Sequence, residues 1–549
     1  MKLNIIIGGQ AGQGINKVSQ IFSNVLSKHG YFTFNYRDYM SLIRGGHNFN
    51  TLAISDQPIE SHDARADVLV ALDERTIKTH SKALKKKGIL VKGDQFKDLG
   101  RNQNVALAGV LTKIFDIPLI TLEDEIKSQF KESSEALIAT KQGYDSQKTS
   151  QKLPKLKHSP TILSGSQALP IGAINSGLDL YIAYPMTPAT NAMHELAKDQ
   201  LKNNMIVFQA ENEIAAASMA LGASFAGKKV MTGTSGGGFD LMSETLSMQG
   251  MSEIPLTVYL ASRAGPATGV PTYTAQSDLD IALRAGHGEA PRIVIAPANP
   301  TETIEKTSEA LFLAEKFKTL SIILSDKHLA ESEFSSTQKP NKTPTFKITR
   351  PIPGKSLVKN SSYESDPFGN STESYTITEE NTNKRIKKYA DIKKYIRKNF
   401  EMIKIHGNKK SKNLIIGWGS TSGAIKDAIK DLDAKFLQVI YCKPLSPQIK
   451  KEIENVKSII QRTMKDKCLE FYSEYKKSGG ESSKLQFKTH LKKFFELTLN
   501  VYVYGSALNL DGTYNNGRAD VWNKWEDYID DDFEADLYLE AVDNIAPYT

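Results

Sequence analysis

Short apolar runs alternate with amphipathic stretches along this chain, the pattern of strands followed by helices. Residues 3–7 read as a buried strand, the glycine loop 8–14 follows, and residues 18–26 carry helical spacing. Residues 68–72 and 88–91 read as further strands, Asp73 and Glu74 stand at a helix start, and residues 106–115 read as a helix. This alternation predicts a parallel sheet with crossover helices over residues 1–143. Residues 144–160 are too polar to pack and read as an exposed linker. The strand–helix pattern then returns over residues 161–332, with strands at 181–184, 230–232, 256–260, 292–296 and 321–324, and predicts a doubly wound sheet. Residues 333–410 are rich in Ser, Asn, Thr and Lys and read as an exposed connecting segment, with a solvated helix over 386–404. A third strand–helix pattern opens at residue 414 and runs to about 465, and residues 466–549 form an unassigned charged tail. The expected fold class is multi-domain α/β.

Two stretches carry candidate chemistry. In Y-P-M-T-P-A-T at 184–190, a strand runs into a turn, because Pro185 and Pro188 forbid helix. The Thr187 hydroxyl then stands at the carboxyl end of a strand, where open α/β sheets bind ligands. In E-N-E-I-A-A-A at 211–217, Glu213 opens a helix of small residues. A carboxylate packed among alanines loses hydration, which favours its protonated, hydrogen-bonding form. A second reading of Glu213 stands beside this one, since helix N-termini take acids for capping and dipole reasons.

The neighbouring motifs come in a telling order. M-T-G-T-S-G-G-G spans 231–238, L-M-S-E 241–244, E-I-P-L-T-V-Y-L 253–260 and S-R-A-G-P-A-T-G-V-P-T 262–272. This series resembles the alpha subunit of 2-oxoacid:ferredoxin oxidoreductases. G-G-Q-A-G-Q-G-I at 8–15 and R-G-G-H-N at 44–48 resemble the gamma subunit of the same family, so the chain resembles a gamma–alpha fusion from Met1 to about Lys457.

The resemblance implies a gamma-type α/β domain (1–143), a thiamine-diphosphate-enzyme pyrimidine-binding domain (161–332) and part of a transketolase C-terminal-like domain (411–465). It implies that Glu213 activates thiamine diphosphate, that Arg263 grips the carboxylate of a 2-oxo acid, and that Thr187 orients the reacting group. Bidentate guanidinium–carboxylate pairing suits Arg263 to its part, although an arginine that merely caps a loop is the plainer reading. Tyr184, Pro185, Thr187, Pro188, Thr234, Ser235 and Gly236 are the other expected cofactor contacts. The implied reaction is oxidative decarboxylation with coenzyme A, electrons passing to ferredoxin. No G-D-G with a distal asparagine is present to hold Mg²⁺ and a diphosphate, so that site and an iron–sulfur cluster are expected on a separate beta subunit, in a (gamma-alpha)2 beta2 assembly.

Composition trims the alternatives. The chain has only Cys442 and Cys468, too few to ligate a four-thiolate cluster alone. Two cysteines also fit a reducing cytoplasm, and the N-terminus shows neither a signal peptide nor a spanning helix. The net charge of +8 is spread over many lysines and gives little reason to invoke nucleic acid. The glycines Gly9, Gly12 and Gly14 miss the dinucleotide spacing G-x-G-x-x-G. A tight turn at subunit packing, or a wall near the coenzyme A entrance, is the preferred reading of that loop. Asn509, Asp511, Thr513 and Asn515 faintly suggest a calcium loop, but Tyr514 stands where glycine is needed, so no metal site is expected. His287 reads as a structural loop histidine and Asp326 as a helix cap. Two departures from the family are visible: Gly237 replaces the usual proline, and the match fails after Lys457. A non-catalytic assembly subunit and a nucleotide-binding regulator using the N-terminal glycine loop remain as alternatives.

Overall fold

The computed structural model describes residues 1–41, 45–341 and 344–454. Its strands in chain order are β1 (Lys2–Ala11), β2 (Phe32–Asp38), β3 (Gly45–Ser55), β4 (Ala66–Ala71), β5 (Leu84–Lys92), β6 (Thr161–Leu163), β7 (Leu180–Ala183), β8 (Ile206–Gln209), β9 (Val230–Thr234), β10 (Leu256–Ser262), β11 (Arg292–Ile295), β12 (Leu320–Asp326), β13 (Glu333–Ser336), β14 (Ile403–Gly407), β15 (Leu414–Trp418), β16 (Lys435–Val439) and β17 (Tyr441–Lys443). The charged tail, Cys468, the faint calcium loop and the end of the third expected domain lie outside the described residues, as does Arg44. One compact unit comprises Met1–Phe400, Trp418–Ala428 and Ile440–Pro444; among the described residues the other comprises Glu401–Gly417, Ile429–Val439 and 445–454.

The first unit holds two seven-stranded sheets. In the N-terminal sheet, ordered β5-β4-β1-β3-β2-β13-β6, the pairs β1–β4 and β4–β5 are parallel. β3, however, runs antiparallel to both β1 and β2. The expected all-parallel sheet is therefore corrected to a mixed one. Only residues 39–44 separate β2 from β3, and a parallel crossover needs about a dozen residues or more, so the chain doubles back. β13 and β6, drawn from much later in the chain, extend the sheet antiparallel.

Periodicity explains the core of this sheet. The helix Ile15–Lys28 buries Ile15, Val18, Ile21, Phe22, Val25 and Leu26, one face of a 3.6-residue repeat. These residues pack with Ile5, Ile7, Leu52 and Ile54 of the sheet. Fully burying one such side chain is worth roughly 1.5–3 kcal/mol. The 144–160 stretch is mostly exposed, as expected, yet it is strapped down. Leu153 is buried, its carbonyl lies 2.9 Å from His29 Nε2, and Tyr31 donates its hydroxyl to the Pro154 carbonyl at 2.9 Å.

The second sheet, ordered β17-β11-β12-β10-β9-β7-β8, is parallel from β11 to β8, as a doubly wound sheet requires. β17 joins its edge antiparallel to β11. β10, β9 and β7 are neighbours, so their carboxyl ends lie side by side. Thr187 follows β7, Thr234 ends β9 and Arg263 follows β10, which brings residues distant in sequence to one edge.

The expected connecting segment opens, against expectation, with the buried strand β13; the described residues after it are mostly exposed and irregular up to the helix Tyr375–Asn399, which buries only Ile392 and Ile396 and is otherwise solvated. The second unit contains the small sheet β14-β16-β15, with β14 and β16 antiparallel and Phe436 and Leu437 buried. Among the described residues no helix is long and apolar enough to cross a membrane.

Candidate active site

The helix Glu213–Phe225 starts where it does because Asn212 caps it, its side chain accepting the Ala215 N–H at 2.8 Å. Glu213 is the first helical residue. An acid recruited only for the helix dipole would point to water; Glu213 is 3% exposed, and its Oε1 has no hydrogen-bond partner. Buried acceptors are nearly always paired in folded proteins, so this oxygen requires an explanation.

The carboxyl faces the turn after β9. A Cβ placed on Gly238 would lie 2.6 Å from Glu213 Oε1 and 2.2 Å from Thr234 Oγ1. Only glycine leaves both groups their places. Ser235 caps the helix Gly236–Leu241 by position, but its side chain makes no cap bond, and its buried Oγ also lacks a partner. Thr234 Oγ1 lies 3.8 Å from Met186 Sδ and so reaches the turn after β7.

That turn holds the remaining expected residues. Pro188 is buried, Pro185 and Thr187 are half-buried, Tyr184 is exposed, and the Thr187–Pro188 peptide is cis. Arg263 Nη1 donates to the Thr187 carbonyl at 2.9 Å. Arg263 thus braces the turn through backbone, while the Thr187 hydroxyl stays out of that bond. Burial pulls the guanidinium below its ordinary range, against the opposing pull of the Asp278 and Glu213 carboxylates. The structure therefore joins Glu213 with Thr234, and Thr187 with Arg263; Gly236 follows directly in the same glycine turn. Tyr184 shares the turn without a hydrogen bond from its hydroxyl to the others.

Asp326 caps the helix Lys327–Glu331, accepting the Leu329 N–H at 3.0 Å. His287 is exposed, and its carbonyl accepts the Ser247 hydroxyl at 2.7 Å. In the N-terminal glycine loop, Gln13 Oε1 accepts the Gln10 N–H at 2.6 Å, so the loop is closed by its own side chain. Among the described residues no group of three or more His, Cys, Asp and Glu could hold a metal ion.

One residue of this site was missed. Asp278 is buried against Gly236, whose added Cβ would lie 2.7 Å from both carboxylate oxygens. It follows a polar loop with no periodicity, and no sequence signal separated it from other loop acids.

Residues 171–401 match the family described as pyruvate flavodoxin/ferredoxin oxidoreductase, thiamine diP-bdg, and residues 4–97 match the pyruvate ferredoxin/flavodoxin oxidoreductase family. A 2-oxoacid:ferredoxin oxidoreductase subunit alpha from a Sulfolobus species is 30% identical, over 81% of this chain and 87% of its own. The chain belongs to the 2-oxoacid:ferredoxin oxidoreductase alpha-subunit family. Its counterpart from Saccharolobus solfataricus is also 30% identical, over 88% of this chain and 93% of its own. Among solved structures, a 2-oxoglutarate:ferredoxin oxidoreductase from Magnetococcus marinus, with 2-oxoglutarate, coenzyme A and succinyl-CoA bound, superimposes with a TM-score of 0.75. It is 26% identical and covers 82% of this chain and 90% of its own. As a 2-oxoacid:ferredoxin oxidoreductase subunit, the chain is part of an enzyme and carries a thiamine-diphosphate-binding domain.

Gly238→Ala should press a methyl group onto Glu213 Oε1 and Thr234. The expected result is about a hundredfold loss of turnover from sub-ångström misplacement of the carboxyl, with assembly intact. Steady-state kinetics and size-exclusion profiles check this, and unchanged turnover would contradict the close packing described.

Proposed function

We propose that this chain is the gamma–alpha subunit of an enzyme that oxidatively decarboxylates a 2-oxo acid of the 2-oxoglutarate or pyruvate class. Coenzyme A is the acyl acceptor and ferredoxin the electron acceptor. The observation that carries the reading is the buried, unpartnered Glu213 Oε1 beside the glycine turn. The unpartnered Ser235 Oγ nearby fits the same bound group.

Bound thiamine diphosphate supplies the carbon nucleophile and the electron sink for loss of carbon dioxide. Glu213 would hold the pyrimidine ring through Oε1, the oxygen that has no protein partner, and would hold or release a proton at that atom. Thr234, Ser235 and Gly236 form the floor of the pyrimidine pocket, and the turn from Tyr184 to Pro188 forms its wall. Arg263 spends Nη1 on the Thr187 carbonyl, which leaves Nη2 and Nε for the substrate carboxylate. The Thr187 hydroxyl orients the reacting group. Within the run of four neighbouring strands β10-β9-β7-β8, the ends of β8, β10 and β7 thus supply an acid–base group, an anchor and an orienting hydroxyl, which is a large part of what positioning contributes to rate.

The diphosphate and its Mg²⁺ fall to a separate beta subunit, which also carries the iron–sulfur cluster, in a (gamma-alpha)2 beta2 assembly working in the cytoplasm. In this reading residues 1–143 form the gamma-type domain, 144–160 the linker, 161–332 the pyrimidine-binding domain, 333–410 the connecting segment and 411–465 the transketolase C-terminal-like portion.

Glu213→Gln keeps size and polarity but removes the proton-holding oxygen. Turnover should fall by about a thousandfold or more while the beta subunit still co-purifies; substantial residual turnover would remove Glu213 from its role. Arg263→Ala should raise KM for 2-oxo acids about tenfold or more through loss of a charge-assisted pair. An unchanged KM would move the anchor elsewhere, with Arg284 the next choice.

A further inference from the structure

Arg292 opens β11 and is 5% exposed, yet its Nη1 has no hydrogen-bond partner. Its backbone is fixed within the sheet, in register with Leu320 of β12. Burial alone pulls the guanidinium below its ordinary range, and no carboxylate pulls the other way. A buried charge is ordinarily paired and hydrogen-bonded, because losing water without a replacement costs more for an ion than for a neutral group. The residues that follow it on the strand, Ile293, Val294 and Ile295, are all apolar and buried.

Two further cations reach the same place. Lys443 ends β17 and lies opposite Val294 across the antiparallel β11–β17 pair. Side chains two residues apart on a strand share a face, so Lys443 and Arg292 are diagonal neighbours on one face, a spacing of about 7–8 Å that long side chains span. Lys443 Nζ donates to the Leu283 carbonyl at 2.9 Å, which brings in the end of the helix Leu279–Arg284 and its exposed last residue, Arg284. Burial, and then the Arg292 and Arg284 charges, hold the Lys443 ammonium below its ordinary range. Among the described residues none of the three cations stands in an ion pair. The helix end accounts for Lys443 and solvent for Arg284, but neither accounts for Arg292.

This trio stands at the opposite end of the sheet from the substrate anchor. Arg292 and Leu256 both pair with Leu320, so Arg292 is level with the start of β10. Arg263 follows the far end of β10, about 20 Å along the strand.

We propose that Arg292, Lys443 and Arg284 form a binding site for a phosphate-type oxyanion, separate from the thiamine diphosphate and 2-oxo acid site. The planar guanidinium of Arg292 suits two phosphate oxygens, while Lys443 adds a point charge and Arg284 closes the rim. The bound ion neutralises the buried guanidinium and ties β17, β11 and the helix end together, so stability rises with its concentration. The proposal stands independently of the reaction proposed above.

The test uses the protein as isolated from its cells, exchanged into phosphate- and sulfate-free buffer, with inorganic phosphate added at an ionic strength held constant with chloride. Isothermal titration should give about one phosphate per chain with a dissociation constant of about 1 mM or below. Saturating phosphate should raise Tm by about 2 °C or more. Arg292→Met should abolish both responses, and Lys443→Gln should weaken phosphate binding about tenfold. No response to phosphate, an equal response to chloride, or an unaltered response in Arg292→Met overturns the proposal. If Arg292→Met does not assemble, Lys443→Gln decides alone, and unchanged phosphate affinity there overturns the proposal as well. Adenosine monophosphate titrated in parallel separates the sources of the anion. Free phosphate binding at least as tightly identifies the ion itself; monophosphate binding about tenfold tighter, with the same dependence on Arg292, identifies a phosphomonoester.

Discussion

The site depends on a steric constraint: in the run Gly236-Gly237-Gly238, the first and third glycines let the backbone approach two buried carboxyls closely. Any side chain at the first or third would displace Asp278 or Glu213. Leaving a buried acceptor unpartnered costs about 1–3 kcal/mol, and Glu213 Oε1, Asp278 Oδ2 and Ser235 Oγ are all in that condition. Their position at one turn is what the proposed ligand-facing reading of this site requires. The alanine helix behind Glu213, capped by Asn212, fixes the carboxyl from the other side.

The two sheets serve this turn differently. The parallel sheet lines up the ends of β7, β9 and β10, so Thr187, Thr234 and Arg263 converge although the chain separates them widely. The mixed N-terminal sheet takes in β13 and β6, which flank the parallel sheet in sequence. Hydrogen-bonded strand pairing therefore ties the gamma-type region to the domain bearing the site, as a gamma–alpha fusion makes possible within one chain.

Much of this was legible in the sequence because the relevant signals are local. The strands around residues 181, 230, 256, 292 and 321 are short apolar runs bounded by turns, and a capped alanine-rich helix placed Glu213 correctly. Thr187 and Arg263 followed from strand ends and prolines. The failures arise where the deciding interaction is distant. The mixed topology of the first sheet hinges on the shortness of the connection after Asp38. β6 and β13 are three- and four-residue strands that exist only because the sheet edge offers partners. Leu153 buries itself in a stretch whose composition reads as exposed. Asp278 is defined by Gly236, far away in sequence, and nothing in its own neighbourhood announces it.

The central claim is a site divided between two chains, with Glu213 facing a thiamine diphosphate whose diphosphate end is held by a partner. The most direct measurement is to isolate the tagged chain from its native cells, identify what accompanies it, and assay thiamine diphosphate and iron in the product. The account predicts a second subunit in equal amount, bound thiamine diphosphate, and brown iron–sulfur absorption; on separation of the two chains this chain loses the thiamine diphosphate and the absorption stays with the partner. A colourless chain recovered alone, or one that retains thiamine diphosphate tightly without any partner, would contradict it.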